Sequence, residues 1–270
     1  MNDNPQFRSG ASTYFAAVLA WSTAGWLASP YLTPGLAPEA SPVFLLGGAG
    51  PLILAVALTH LRESRVTQRD FWVRIVDPRR MSLSWFAVAL LLHPAIVLVA
   101  WFASVGLGDV GTAMARQFGA SALLSLAFFT FWFGPLPEEI GWRGYALDRL
   151  LAKRSALSAS VIIGIVWALW HVPLFFVPGT FQHELGLDSV RFWIFSATLV
   201  PLSILMTWVY NNTERSTLSA AIVHFSGNFC GALIVKSDQF ALIELVLLCI
   251  CAGAVVARFG AQDLRRSGNE

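Results

Sequence analysis

Glu138, Glu139 and Arg143 are the first group in the sequence with evident chemical potential. They lie within Pro-Leu-Pro-Glu-Glu-Ile-Gly-Trp-Arg-Gly at residues 135–144. Pro135 and Pro137 break whatever helix precedes them and suit the first turn of a new one, where negative charge is favoured. Glu139 and Arg143 are four residues apart and can pair on one helix face, which leaves Glu138 available for other work. His171 follows in Trp-Ala-Leu-Trp-His-Val-Pro, residues 167–173, with Trp167 one turn before it and Pro173 after it. The third group is His-Phe-Ser-Gly-Asn, residues 224–228, in which His224 and Asn228 share a helix face and Gly227 leaves room for another backbone to approach. Taken singly, each group has a plain reading: a helix-start carboxylate pair, a satisfied core histidine, and polar contacts between helices.

Together the three groups hold the parts of a hydrolytic site. A carboxylate sheltered from bulk solvent can take a proton from water. A histidine can hold that water or carry the proton onward, and a second histidine with an asparagine amide can stabilise an oxyanion. The same residue types permit another chemistry, since Glu138, His171 and His224 are a donor set for a catalytic zinc with an open fourth position.

The elements that carry these residues must be membrane helices. The chain has 270 residues, of which 56% are hydrophobic and 13% charged, against about 25% charged in a soluble domain. Its apolar runs are long and continuous rather than alternating, so helices satisfy the backbone in lipid and a barrel does not fit. Eight spans are expected, at about 12–32, 40–60, 82–107, 118–136, 157–178, 189–210, 217–235 and 239–258. The predicted fold class is therefore all-α, a polytopic protein forming one membrane-embedded domain over residues 1–270. The polar groups fall in its helical core, at about 118–235. With the N-terminus inside, only Arg116, Arg191 and Lys236 of the 18 basic residues fall outside. This follows the positive-inside rule and places both termini in the cytoplasm. The apolar run near the N-terminus is longer than a signal-peptide core of about 7–15 residues and is read as a retained span. Convergence of the polar groups requires the fourth span to break at its prolines and tuck the glutamates inward.

The remaining polar positions have less context. His93, beside Pro94, is expected to serve packing or a kink. Glu244 in the last span either snorkels or pairs with another helix, and His60 and His183 fall at span ends. Cys230, Cys249 and Cys251 lie in apolar runs and are read as small core residues. The arginine-rich stretch from Leu61 to Arg80 either lies on the membrane surface or is a solvated loop. A net charge of +2 points to no nucleic-acid partner.

The three groups also carry a resemblance. The sequence resembles the CPBP intramembrane proteases, which comprise the type II CAAX prenyl endopeptidases and bacterial relatives that include bacteriocin-processing and immunity proteins. That family's pattern is EExxxR, then an aromatic-xxxH, then HxxxN. Here these are Glu138-Glu139-Ile-Gly-Trp-Arg143, Trp167-Ala-Leu-Trp-His171 and His224-Phe-Ser-Gly-Asn228. Trp167 stands where the family usually has Phe, which keeps an aromatic ring. The resemblance spans about residues 118–235. It implies an intramembrane endopeptidase acting on membrane-proximal or prenylated, CAAX-type substrates in the cell membrane. Glu138 would activate water, His171 would assist it, His224 and Asn228 would polarise the scissile carbonyl, and Glu139 and Arg143 would position the motif. The family is described both as metalloproteases and as metal-free glutamate proteases, so zinc stays open. Two further readings compete: a non-catalytic membrane scaffold or immunity protein that keeps the fold, and a transporter with the polar groups along its path. The chain lacks the paired broken helices in two repeated halves that mark many transporters.

Overall fold

The computed structural model describes residues 10–114 and 119–265; Arg8, Arg116 and Arg266, which enter the charge count, lie outside them. The described chain is helical apart from a two-residue antiparallel ladder, in which β1 (Ala113–Met114) pairs with β2 (Ile234–Val235). The helices are α1 (Ala11–Leu32), α2 (Pro42–Gly48), α3 (Gly50–Arg62), α4 (Arg65–Val76), α5 (Leu83–Gly106), α6 (Ala120–Phe133) and α7 (Pro135–Gly141). A π-helical stretch, Trp142–Leu147, leads into α8 (Asp148–Leu151), which is followed by α9 (Ala156–His171), α10 (Phe181–Leu185), α11 (Val190–Asn211), α12 (Thr217–Ala232) and α13 (Asp238–Phe259). Serine starts many of them. The hydroxyls of Ser41, Ser64, Ser82, Ser155, Ser189, Ser216 and Ser237 each accept a backbone N–H two or three residues into the helix that follows, satisfying a donor that has no partner within the helix.

Each of the eight expected spans coincides with helix, but length and apolarity qualify fewer than eight. Five stretches among the described residues are long and apolar enough to cross a bilayer: Leu83–Gly106, Ala120–Leu151, Ala156–Phe176, Val190–Asn211 and Asp238–Phe259. The pair α2 and α3, bent by 59°, makes a sixth if counted as one span. Helix α1 is diluted by Ser, Thr and Gly, and α12 has only 16 residues, roughly 24 Å of helix. The shortfall of α12 has a physical reason. It packs against α5, α6, α7 and α11, so most of its first three turns meet protein and need not be apolar enough for lipid.

Helix α9 lies close along α11, and Gly164 makes that approach possible: a Cβ there would stand 2.7 Å from the Cα of Val200. Small residues give this kind of backbone contact where lipid supplies no hydrophobic drive between helices. The arginine-rich stretch is helix α4, fastened to the core rather than solvated. Phe71, Arg74 and Ile75 are buried, and Arg74 reaches Asp148 at 2.8 Å and the Gly144 carbonyl at 3.0 Å. Tyr210 donates to the same Asp148 at 2.9 Å, and Arg215 pairs with it as well. Helix α5 continues through Pro94. One expectation changes: Cys249 is exposed, while Cys230 and Cys251 are half-buried free thiols. An outward position still suits cysteine in a membrane helix, because lipid is as apolar there as a protein core.

Candidate active site

Helix α6 stops at Phe133. Gly134 takes φ −138° and ψ −88°, and α7 restarts with Pro135 at its first position. The break is the one the prolines predict, and it turns Glu138 and Glu139 into the protein, where they are 7% and 0% exposed. A π-helical turn follows immediately, and such turns recur at functional sites. This one holds Arg143, itself fully buried.

Trp167 joins the three sequence groups. Its indole Nε1–H donates to Glu138 Oε2 at 2.7 Å. Its main-chain carbonyl accepts from His171 Nδ1 at 2.8 Å, and its ring meets the His224 ring edge-on with centroids 4.9 Å apart. Because a carbonyl can only accept, the His171 proton sits on Nδ1. Nε2 then carries the lone pair in the neutral ring and can accept a hydrogen bond. Phe195 and Trp170 pack edge-on against the His171 imidazole at 5.2 Å and 4.9 Å, which fixes its plane.

Glu139 is the second junction. Its Oε2 accepts from Arg143 Nη1 at 2.8 Å and its Oε1 bonds His224 Nδ1 at 3.0 Å. Arg143 Nη2 donates to Ser203 Oγ at 3.0 Å, and that hydroxyl donates onward to the Ser160 carbonyl at 2.9 Å. The guanidinium also lies 5.5 Å from the Trp167 ring centroid. Charges this deeply buried persist only when paired and hydrogen-bonded, and here a carboxylate, a guanidinium and an imidazole satisfy one another. His224 is buried, whereas Asn228, one turn on, is exposed.

The zinc set fares differently. Among the described residues no three His, Cys, Asp or Glu side chains stand together so as to hold one ion. Glu138, His171 and His224 as placed do not form such a group. A groove of about 450 Å³ between α9, α11 and α13, lined by Leu157, Val200 and Val256 among others, includes none of the motif residues.

Ser203 and Ser160 join the site unannounced by the sequence, and Trp167 stood out there only as an aromatic ring one turn before His171. Nothing in the spacing marks Ser203, which lies 60 residues from its arginine. Trp167 did carry a signal, because it supplies an N–H where the resemblance expects a phenylalanine. Trp167→Phe is therefore expected to lower kcat while His171 keeps its main-chain bond. A hydrogen bond to a charged group is worth about 1.5–3 kcal/mol, so the fall should be roughly ten- to a hundred-fold. Steady-state kinetics on any peptide that the wild type cuts will check it; a kcat within two-fold of wild type would remove Trp167 from the site.

A buried glutamate, two histidines and an ion-paired second glutamate meet within a bundle of apolar helices, several of them long enough to cross a membrane. Residues 120–230 match the family model described as type II CAAX prenyl endopeptidase, Rce1-like. The chain is also 29% identical over 250 residues to the CAAX prenyl protease 2 of Methanococcus maripaludis, a match covering 91% of this chain and 90% of that relative. The motif-bearing part of the chain is thus similar to the Rce1-like CAAX prenyl endopeptidases, a likeness that supports an intramembrane endopeptidase.

Proposed function

We propose that the protein hydrolyses a peptide bond near the C-terminus of a prenylated, membrane-associated substrate, using water activated by Glu138. The observation that carries this reading is the triple engagement of Trp167, whose indole meets Glu138 and His224 and whose main-chain carbonyl holds His171. The substrate class comes from the relative's name and from the family. The membrane is the cell membrane, with both termini cytoplasmic, on the strength of the charge bias across the spans.

In this mechanism water sits between Oε1 of Glu138 and Nε2 of His171. Glu138 takes one proton as the water oxygen attacks the scissile carbonyl, and His171 holds the other hydrogen and sets the direction of attack. The carbonyl oxygen becomes an oxyanion, which receives hydrogen bonds from the protonated His224 Nε2 and from the Asn228 amide. Glu139 supports that imidazolium through Nδ1, and Arg143 holds Glu139 in place. The tetrahedral intermediate collapses as the C–N bond breaks, and Glu138 returns its proton to the leaving amine. Glu138, Glu139, Arg143, His171, His224 and Asn228 each have a role that needs no metal.

The test uses full-length protein in detergent with a farnesylated peptide ending in a CAAX sequence, its unfarnesylated counterpart and peptides from membrane segments, each with and without a zinc chelator. The expected result is cleavage of the farnesylated peptide that the chelator leaves unchanged. Chelator-sensitive cleavage would transfer water activation to zinc. Failure to cut any peptide would overturn the reading in favour of a scaffold that keeps the fold.

A further inference from the structure

A second group of buried ionisable side chains lies beside the motif helix and takes no part in the reaction above. His93 of α5 pairs through Nε2 with Glu244 Oε1 of α13 at 3.2 Å, and Lys236, between α12 and α13, donates to Glu244 Oε2 at 2.6 Å. His93 and Glu244 are 7% and 6% exposed. The other ring nitrogen of His93, Nδ1, is buried with no hydrogen-bond partner. The ring presses onto Gly227, between His224 and Asn228 in the third motif: a Cβ on Gly227 would stand 2.0 Å from Nδ1. So Gly227 admits a side chain, where the sequence suggested a neighbouring backbone.

We infer that His93, held by Glu244 and Lys236, positions α12 so that His224 and Asn228 meet the substrate carbonyl. This inference rests on the reading of the site given above. Packing alone does not explain the trio. A phenyl ring would fill the space over Gly227 without a carboxylate and an ammonium in a membrane protein, where ionisable groups are costly. What the polar trio adds is direction. Glu244 accepts the Nε2 proton and thereby sets the plane of the imidazole. A plane held from α13 and laid on a glycine of α12 fixes the height and rotation of the motif helix. Leaving Nδ1 unpartnered is a cost, and buried groups left unsatisfied call for a functional explanation. Lys236 lies just past the end of α12, so the same clasp also closes the turn that leads out of that helix.

The test compares wild type, His93→Phe, Glu244→Gln, Gly227→Ala and the pair Gly227→Ala with His93→Ala on the farnesylated peptide. A misplacement of about 1 Å can cost as much as a hundred-fold in rate. His93→Phe, which keeps the volume, should therefore lose about ten-fold or more in kcat with little change in KM. Glu244→Gln, which still offers an acceptor to His93, should retain most of the rate. Gly227→Ala should lower the melting temperature by collision with the ring. The pair should recover the melting temperature but not kcat, because space is restored and the anchor is not. A wild-type kcat in His93→Phe, or in the pair should the phenylalanine variant fail to fold, would overturn the inference. Hydrogen exchange over residues 217–232 needs no substrate. Faster exchange there in His93→Phe, with α9 and α11 unchanged, supports the clasp, and unchanged exchange overturns it. Wild type that cuts no peptide would overturn the active-site reading instead and leave exchange to decide the clasp.

Discussion

Glu138→Gln is expected to lower kcat by about 10²–10⁴-fold, the span attributed to general base catalysis, with KM nearly unchanged and the melting temperature equal to or above that of wild type. The two halves of this expectation have different causes. The amide cannot take a proton from water, so hydrolysis loses its base. The fold loses little, because Gln has the same shape and its carbonyl oxygen can still accept the Trp167 N–H that Glu138 Oε2 receives at 2.7 Å. Removing a carboxylate buried to 7% exposure also relieves a desolvation cost. Residues kept for chemistry at the expense of stability behave in this way. The measurements are steady-state kinetics on the farnesylated peptide and thermal unfolding of the same detergent preparations. A variant retaining more than a tenth of the wild-type kcat would remove Glu138 from the role of base.

The difference between Glu138 and its neighbour shows what could be read from the sequence and what could not. Local features were legible. The break before Pro135, the pairing of Glu139 with Arg143 and the shared face of His224 and Asn228 all depend on separations of four residues or fewer, where helix geometry decides. The meeting of the three groups was legible only as a requirement, since three costly polar clusters in one apolar chain need one another. Partners chosen by tertiary packing were not legible. His93 and Glu244 are 151 residues apart in sequence, and no periodicity links them. Ser203 reads as one more small residue on a span until Arg143 is seen to reach it. The count of eight spans is not confirmed by length and apolarity, for a related reason. Hydropathy treats α12 as a membrane helix like the rest, whereas its neighbours cover much of it and relax the demand for length.

Arg143→Met is expected to destabilise the protein by about 3–5 kcal/mol, the usual cost of removing one partner from a buried ion pair, and to abolish cleavage. Met keeps much of the packing volume, so the loss isolates charge. Glu139, 0% exposed, would be left with the His224 imidazole as its remaining partner, and Ser203 would lose the guanidinium it receives at 3.0 Å. At roughly 2–4 °C per kcal/mol for a chain of this size, the unfolding midpoint should fall on the order of 10 °C. Adding Glu139→Leu to the same chain removes the stranded carboxylate, and the midpoint should then recover part of its fall, because the two positions are coupled and their effects do not add. Activity should not recover with it. His224 would have no carboxylate at Nδ1 to support the imidazolium that donates to the oxyanion, so the double variant would be folded and inactive. A double-mutant cycle of unfolding midpoints, run beside kcat for each corner, measures both outcomes. Strict additivity of the midpoints would mean that Arg143 and Glu139 do not hold each other, and recovery of kcat in the double variant would mean that Glu139 has no part in preparing His224.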